Sequence, residues 1–449
     1  MEVSHGFQRG CGYRATGDDG LGTAQIRVFI TTFTLDGIRL TMKTAGPEII
    51  HFWTCTGWLR GQDLNLRPSG YEPDELPDCS TPRWALLDTA GRTPFLPKLC
   101  YHMEAIDPVI AALPKIHLHC HLEGCLRPET FVELTRRYGL STRFRPGQAE
   151  VGGPTDPAQV YEFSDFGEFL LIFAAVSRAL ASPDDYARLA REFVAGALAQ
   201  NVVYGELFIS PSVWSYFHRE LDLRATMRAI VAELRAARAQ GVEFSLIVDV
   251  TRNFGVDSAM RTAQLAVSMA GEGIIGIGLG GDEANFPAEL FGDVFAFARA
   301  NGLHTVAHAG EGAGAQSVRA AVEIGAERIG HGVRAIEDPA VVALLRERAV
   351  PLEISPTSNA RTAVVAPDAE HPLHELDRSG VRITIDADDP AIFGTSISHE
   401  YALVAQRAGM AALQRFIQQA ADVSFLAPPA KATLRERVRM EPCDPAAKF

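Results

Sequence analysis

The chain is expected to fold as an α/β protein, a (β/α)8 barrel of TIM type, with a helical insertion after strand 1 and extra helices at the C-terminal end. Two observations predict this. From Met103 onward, eight short apolar runs alternate with Ala-, Leu- and Arg-rich stretches of helical spacing. The polar residues able to bind metals or move protons also gather at the ends of those runs, where a barrel carries its site.

In order, the strand candidates are "KIHLHCH" (115–121), "VVYGELFIS" (202–210), "EFSLIVDV" (243–250) and "IIGIGLGG" (274–281). They continue with "LHTVAHAGE" (303–311), "RIGHG" (328–332), "VPLEISP" (350–356) and "VRITIDADD" (381–389). Stretches such as 222–240 and 315–326 between them repeat apolar residues every three to four positions, as amphipathic helices do. The insertion is expected as helix over roughly 140–185, and 397–437 as two or three more helices.

Residues 1–102 read differently. They hold three of the four tryptophans (Trp53, Trp58, Trp84) and four of the seven cysteines, with frequent Gly and Pro and no sustained periodicity. The stretch "GQDLNLRPSGYEPDELPDCSTPR" (61–83) resembles peptides that arise when a transfer-RNA locus is translated as coding sequence. The expectation is an irregular N-terminal extension over 1–102 from a misplaced start codon, with the working protein spanning 103–449.

The 449 residues, 47% hydrophobic and 22% charged, suit a globular protein, and the net charge of −13 argues against a nucleic-acid surface. No apolar run reaches the length needed to span a bilayer, and no signal-peptide pattern opens the chain, so the cytoplasm is expected. The cysteines form no CxxC pair and no disulfide framework.

Within "KIHLHCHLEG" three histidines fall on alternate positions, which in a strand share one face. Neighbours on that face are about 6.6 Å apart and the outer pair about 13 Å, whereas a zinc–nitrogen bond is about 2.0–2.1 Å. Two can therefore share an ion. His119 and His121 lie at the strand end, while His117 lies deeper and reads as a hydrogen-bonded core residue. Alternation turns Cys120 to the opposite face. His308 and Glu311 end strand 5, His331 strand 6, and Asp388 and Asp389 strand 8. Imidazoles and a carboxylate converging on one mouth are a zinc constellation. The glycines of "GLGGDE" (278–283) would let a ligand approach the strand-4 backbone.

The stretches "PKIHLHCHLEG", "VVYGELFISP", "GLGGDE", "HAGE", "RIGHG", "PTSN" and "DADDP", in that order, resemble the adenosine deaminase family of zinc-dependent (β/α)8 hydrolases, over about 110–437. The resemblance implies one Zn2+ per chain on His119, His121, His308 and Asp388. It implies Glu311 as the acid/base group at purine N1 and His331 as the residue that orients and helps deprotonate the metal-bound water. Gly281 and Asp389 would hold the ring nitrogens, and His121 and Glu123 would also meet the substrate. Glu123 departs from the Asp usual in the adenosine enzymes, at a position associated with a ribose hydroxyl. Ala387 and Ser355 depart from Thr or Ser and from Cys. Phe163, Phe166, Phe169 and Phe173 resemble an apolar lid, and the same spacing suits an ordinary buried helix face. The implied reaction is hydrolytic deamination of adenosine or 2′-deoxyadenosine. The alternative is adenine or another aminopurine nucleoside, so the expected partner is a small purine, with no nucleic acid and no membrane. A two-metal amidohydrolase is disfavoured because no Lys occurs in 273–286, and a non-catalytic purine binder because it would need neither Glu311 nor a full ligand set.

Overall fold

The computed structural model describes residues 106–147, 152–366 and 369–439, together with three strands nearer the N-terminus. The chain divides into two compact units, Met1–Glu72 and Pro73–Phe449. In the first, Val28–Leu35 pairs antiparallel with Ile38–Ala45, which pairs in turn with Ile50–His51. This regularity was not expected. Its signals are the alternation of "IRLTMK" and the Asp-Gly dipeptide between the two runs, a strong hairpin cue. The peptide 61–83 and the boundary expected at Met103 lie outside the described residues.

In the second unit eight parallel strands run in sequence order: β1 (Lys115–His121), β2 (Val202–Ile209), β3 (Glu243–Thr251), β4 (Ile274–Gly280), β5 (His304–Ala309), β6 (Arg328–His331), β7 (Leu352–Ile354) and β8 (Ile383–Ile385). Each hydrogen-bonds to its sequence neighbour. The ring closes where His121 N–H donates to Asp388 O at 2.9 Å and Asp388 N–H to His119 O at 3.1 Å. The seam of the barrel thus runs through the candidate site. Every residue of β1 and β2 is buried, as helices outside and side chains inside require, which is why these strands read as nearly continuous apolar runs.

The barrel interior is filled by charge as well as by hydrocarbon. Arg328, fully buried on β6, pairs with Glu206 of β2 at 2.6 Å and with Glu353 of β7 at 2.5 Å. At the N-terminal end Lys115 Nζ donates to the carbonyls of Ile110, Ala111 and Leu113 at 2.9–3.0 Å.

The insertion is less helical than expected. Helix Pro128–Tyr138 stops at Gly139, and the next helix is Phe166–Ala179, begun by the Asp165 side chain accepting from Glu168 N–H at 2.9 Å. Pro146, Pro154, Pro157 and the glycines among them break the segment between. Three C-terminal helices follow β8: Ile397–Ala408, Met410–Val423 and Pro428–Arg437. The first is tied to β1 where Tyr401 Oη donates to Ile116 O at 3.1 Å.

Among the described residues no single helix is long and apolar enough to cross a membrane.

Candidate active site

The C-terminal mouth of the barrel gathers the residues picked out from the sequence. His121 Nε2 lies 3.0 Å from His308 Nε2, and Asp388 Oδ1 lies 3.5 Å from both His119 Nε2 and His121 Nε2. His331 Nε2 faces Glu311 Oε2 at 3.5 Å and Asp388 Oδ2 at 3.8 Å. His119, His308, His331 and Asp388 each offer a ligand atom within 4.8 Å of the others, and His121 shares such a cluster with Asp388 and Asp389. His331 therefore stands as close as the four residues expected to bind metal. His331 and Asp388 both have φ of 61°, a left-handed conformation uncommon for non-glycine residues and frequent at functional sites.

The donors fit a metal cation. His119 Nε2 is buried without a hydrogen-bond partner, while its Nδ1 is held by Glu353 Oε2 at 2.7 Å. His308 Nδ1 bonds to Leu279 O at 3.2 Å. Each ring thus has its outer nitrogen tied back and its inner nitrogen aimed at the cluster, the arrangement that orients metal-ligating imidazoles. Two imidazole nitrogens 3.0 Å apart with a carboxylate oxygen beside them are readily satisfied by one shared cation. Burial alone would lower His119, but Asp388 and Glu353 outweigh it and raise the imidazole to about 10, so this point of the site favours positive charge. Phe208 packs against His119 and His121, with ring centroids 4.9 and 5.1 Å away.

His117 belongs elsewhere. Its Nε2 accepts from Ala387 N–H at 3.1 Å within the core, as its depth in the strand predicts. Cys120 turns to the opposite face, its sulfur 3.4 Å from Cys125 Sγ.

Glu311 and Asp389 are buried acids without compensating cations. Burial, then the charges of Asp388 and Glu283, push the Glu311 carboxyl well above the usual range. Burial and Asp388 do the same to Asp389, whose Oδ1 has no partner. Burial and the neighbouring acids thus favour the protonated form of both. Burial lowers His331 to about 4, so it is neutral. His371 Nε2 lies 3.2 Å from Asn359 Oδ1, and Asn359 Nδ2 lies 3.0 Å from His331 Nδ1. Asn359 thus links His331 Nδ1 to His371, while His331 Nε2 faces Glu311 and Asp388.

A cavity of about 670 Å³ opens above the cluster. His121, Gly281, His308, Glu311, His331, Asp388 and Asp389 line it, and His119 lies behind them. Phe166, Phe169 and Phe173 form part of the wall. Phe163 does not; it packs on Phe169 and Phe393, both with centroids at 5.9 Å.

Glu123 is also absent from the wall. It is fully buried, and its Oε1 accepts from Trp214 Nε1 at 2.7 Å and Ser210 N–H at 2.8 Å. This differs from the substrate contact expected of it: the longer Glu side chain reaches the indole instead. The glycines of β4 also act differently. A Cβ on Gly278 or Gly280 would overlap the carboxylate of Asp249, so their bareness seats that side chain.

Several supporting residues escaped the sequence reading. Glu283, inside the quoted "GLGGDE", accepts from the N–H groups of Gly310, Glu311, Gly312 and Ala313 at 2.6–3.1 Å, cradling the loop that carries Glu311. Ser358 Oγ donates to Asp388 Oδ2 at 2.7 Å, and Asp386 Oδ1 accepts from Leu118 and His119 N–H at 2.6 and 3.0 Å. Asp249 had no signal beyond an acid within an apolar strand.

The sequence model of adenosine deaminases matches residues 114–441. The chain is 37% identical over 338 residues to an aminodeoxyfutalosine deaminase of Streptomyces coelicolor, covering 73% of this chain and 84% of that protein. It is 36% identical over 332 residues to an adenosine deaminase of Escherichia coli, covering 73% and 98%. Among solved structures, an adenine deaminase from Arthrobacter aurescens superposes with a TM-score of 0.65 at 28% identity, covering 73% of this chain and 98% of that one. An amidohydrolase from Burkholderia ambifaria, solved with bound Zn, gives the same score and identity, covering 75% and 94%.

Proposed function

The chain belongs to the adenosine deaminase family, and on that premise we propose that it hydrolyses the 6-amino group of adenosine or 2′-deoxyadenosine, consuming one water and releasing ammonia and inosine or 2′-deoxyinosine. The observation that carries this reading is the buried Glu311 carboxyl, 3.5 Å from His331 at the edge of a buried His/Asp cluster able to hold a metal ion.

In this reading His119, His121, His308 and Asp388 hold one zinc ion, the metal bound in the Burkholderia relative. Such an ion lowers the pKa of a coordinated water towards neutrality. Glu311 donates its proton to purine N1, which draws electron density from C6 and opens that carbon to attack by water. Asp389, protonated, donates to a second ring nitrogen. Gly281, with φ of 98°, turns its backbone towards the base. His331, whose Nε2 faces Glu311 and Asp388, orients the water that approaches C6 and helps to deprotonate it. The aromatic wall formed by Phe166, Phe169 and Phe173 keeps bulk water from the ring.

A second reading within the same chemistry is an aminopurine with a larger substituent. The cavity continues past the cluster to Tyr216, Phe217, Phe254 and Arg145, which offers room for it and, if Arg145 exchanges its 3.7 Å ion pair with Glu168, a cation for an anionic group. Its Streptomyces relative is named for aminodeoxyfutalosine. A panel of adenosine, 2′-deoxyadenosine, adenine, AMP and aminodeoxyfutalosine, followed by ammonia release from zinc-loaded protein, ranks them. The expected result is highest kcat/KM on the two simple nucleosides; inertness towards all five sinks the deaminase reading.

A further inference from the structure

Four acidic side chains line the cavity among the described residues, and three of them, Glu311, Asp388 and Asp389, belong to the reacting end. The fourth, Asp249, has no place in the chemistry above. It stands near the C-terminal end of β3, only 5% exposed, and its Oδ1 has no hydrogen-bond partner. The nearby Arg252 lends charge without a hydrogen bond: its Nη1 donates to Phe286 O at 2.8 Å and its Nη2 to His308 O at 2.5 Å, and its Nε has no partner. Burial, reinforced by the Glu123 charge, pushes the Asp249 carboxyl up to about 7. Gly278 and Gly280 leave the bare trough that holds the carboxylate in place. A buried acceptor left open in this way is unfavourable unless a ligand supplies the donor.

The order of strands indicates which donor. With N1 at Glu311, just past β5, the next nitrogen along the same ring edge is N3. That nitrogen comes to Gly281, just past the adjacent β4. N3 is separated from N9 by one carbon, and Asp249 is on the next strand again, β3, its carboxylate seated over Gly280. It therefore sits where the N9 substituent leaves the base. We propose that Asp249 accepts a hydrogen bond from a sugar hydroxyl of the substrate and so selects nucleosides over free bases. This rests on the deaminase reading. Glu123, turned to Trp214 and outside the cavity wall, leaves that task to Asp249.

The test compares adenosine with 9-methyladenine, which carries the same base and no sugar hydroxyl, in wild type, Asp249→Ala and Asp249→Asn. Losing a charge-assisted hydrogen bond should lower the ratio of the two kcat/KM values by about 10- to 100-fold in D249A, mainly through the KM of adenosine. D249N, nearly the same shape and still an acceptor, should fall in between. The 2′-, 3′- and 5′-deoxyadenosines identify the hydroxyl: the analogue missing it loses rate in wild type and loses nothing further in D249A. An unchanged ratio in D249N with normal melting temperature and metal content, including equal losses on both substrates, overturns the assignment of Asp249 and leaves the deaminase reading standing. A wild-type protein inert towards adenosine and every deoxy analogue overturns that reading, and this one with it.

Discussion

In the proposed reading Glu311 and His331 divide the proton chemistry by environment. Burial and negative neighbours favour the protonated form of one, and burial the neutral form of the other, whose Nδ1 lies 3.0 Å from Asn359 Nδ2. Glu311→Gln keeps the shape and cannot deliver a proton, so kcat should fall about 10²- to 10⁴-fold with zinc content unchanged by elemental analysis. Normal turnover in that variant would remove Glu311 from its role. The pH dependence has a definite sign. A carboxyl raised by burial is protonated below its shifted pKa and loses the proton as pH rises through it, so kcat/KM should fall on the alkaline side. A profile that rises there instead contradicts an acid at this position.

At the level of single elements, the site is held by what surrounds the ligands. Gly330 of β6 lies under the His119 ring, and a Cβ there would come within 2.6 Å of its Cε1. Gly330→Ala should push the imidazole off its line and lower stability by about 1–3 kcal/mol. The check is sub-stoichiometric zinc together with a reduced melting temperature; full metal loading would show that the ring has room to yield. The loop after β5 depends on a single side chain. Glu283→Ala leaves four backbone N–H groups of 310–313 without their acceptor. It should cost about 1–3 kcal/mol and lower kcat without abolishing zinc binding. That combination separates a positioning residue from a ligand.

For the whole molecule, the His/Asp cluster proposed to hold the metal doubles as the clasp of the barrel, because Asp388 bonds through its backbone to His119 and His121 as it closes β8 against β1. Chelation should therefore abolish activity and lower the melting temperature together, and zinc should restore both. A melting temperature indifferent to metal would separate the site from the seam. All eight barrel strands lie within Lys115–Ile385, in the unit separate from Met1–Glu72. A protein starting at Met103 should accordingly retain kcat/KM within about twofold, a large loss tying the first unit to catalysis.

The sequence by itself determined what local periodicity and motif order encode. Short apolar runs and the helical spacing between them placed the eight strands to within a few residues. The convergence of His119, His121, His308, Glu311, His331, Asp388 and Asp389 followed from one rule about barrel strand ends. Even the demotion of His117 needed only the rise per residue of a strand. Only the tertiary structure decided which way a side chain turns when two destinations compete. Glu123 is drawn to an indole 91 positions later, Asp249 is seated on glycines from the next strand, and His331 is tied into a chain through Asn359 and His371. Each depends on pairing a buried polar atom with whatever distant partner folding brings within about 3 Å, and such pairings leave no periodic mark in the sequence.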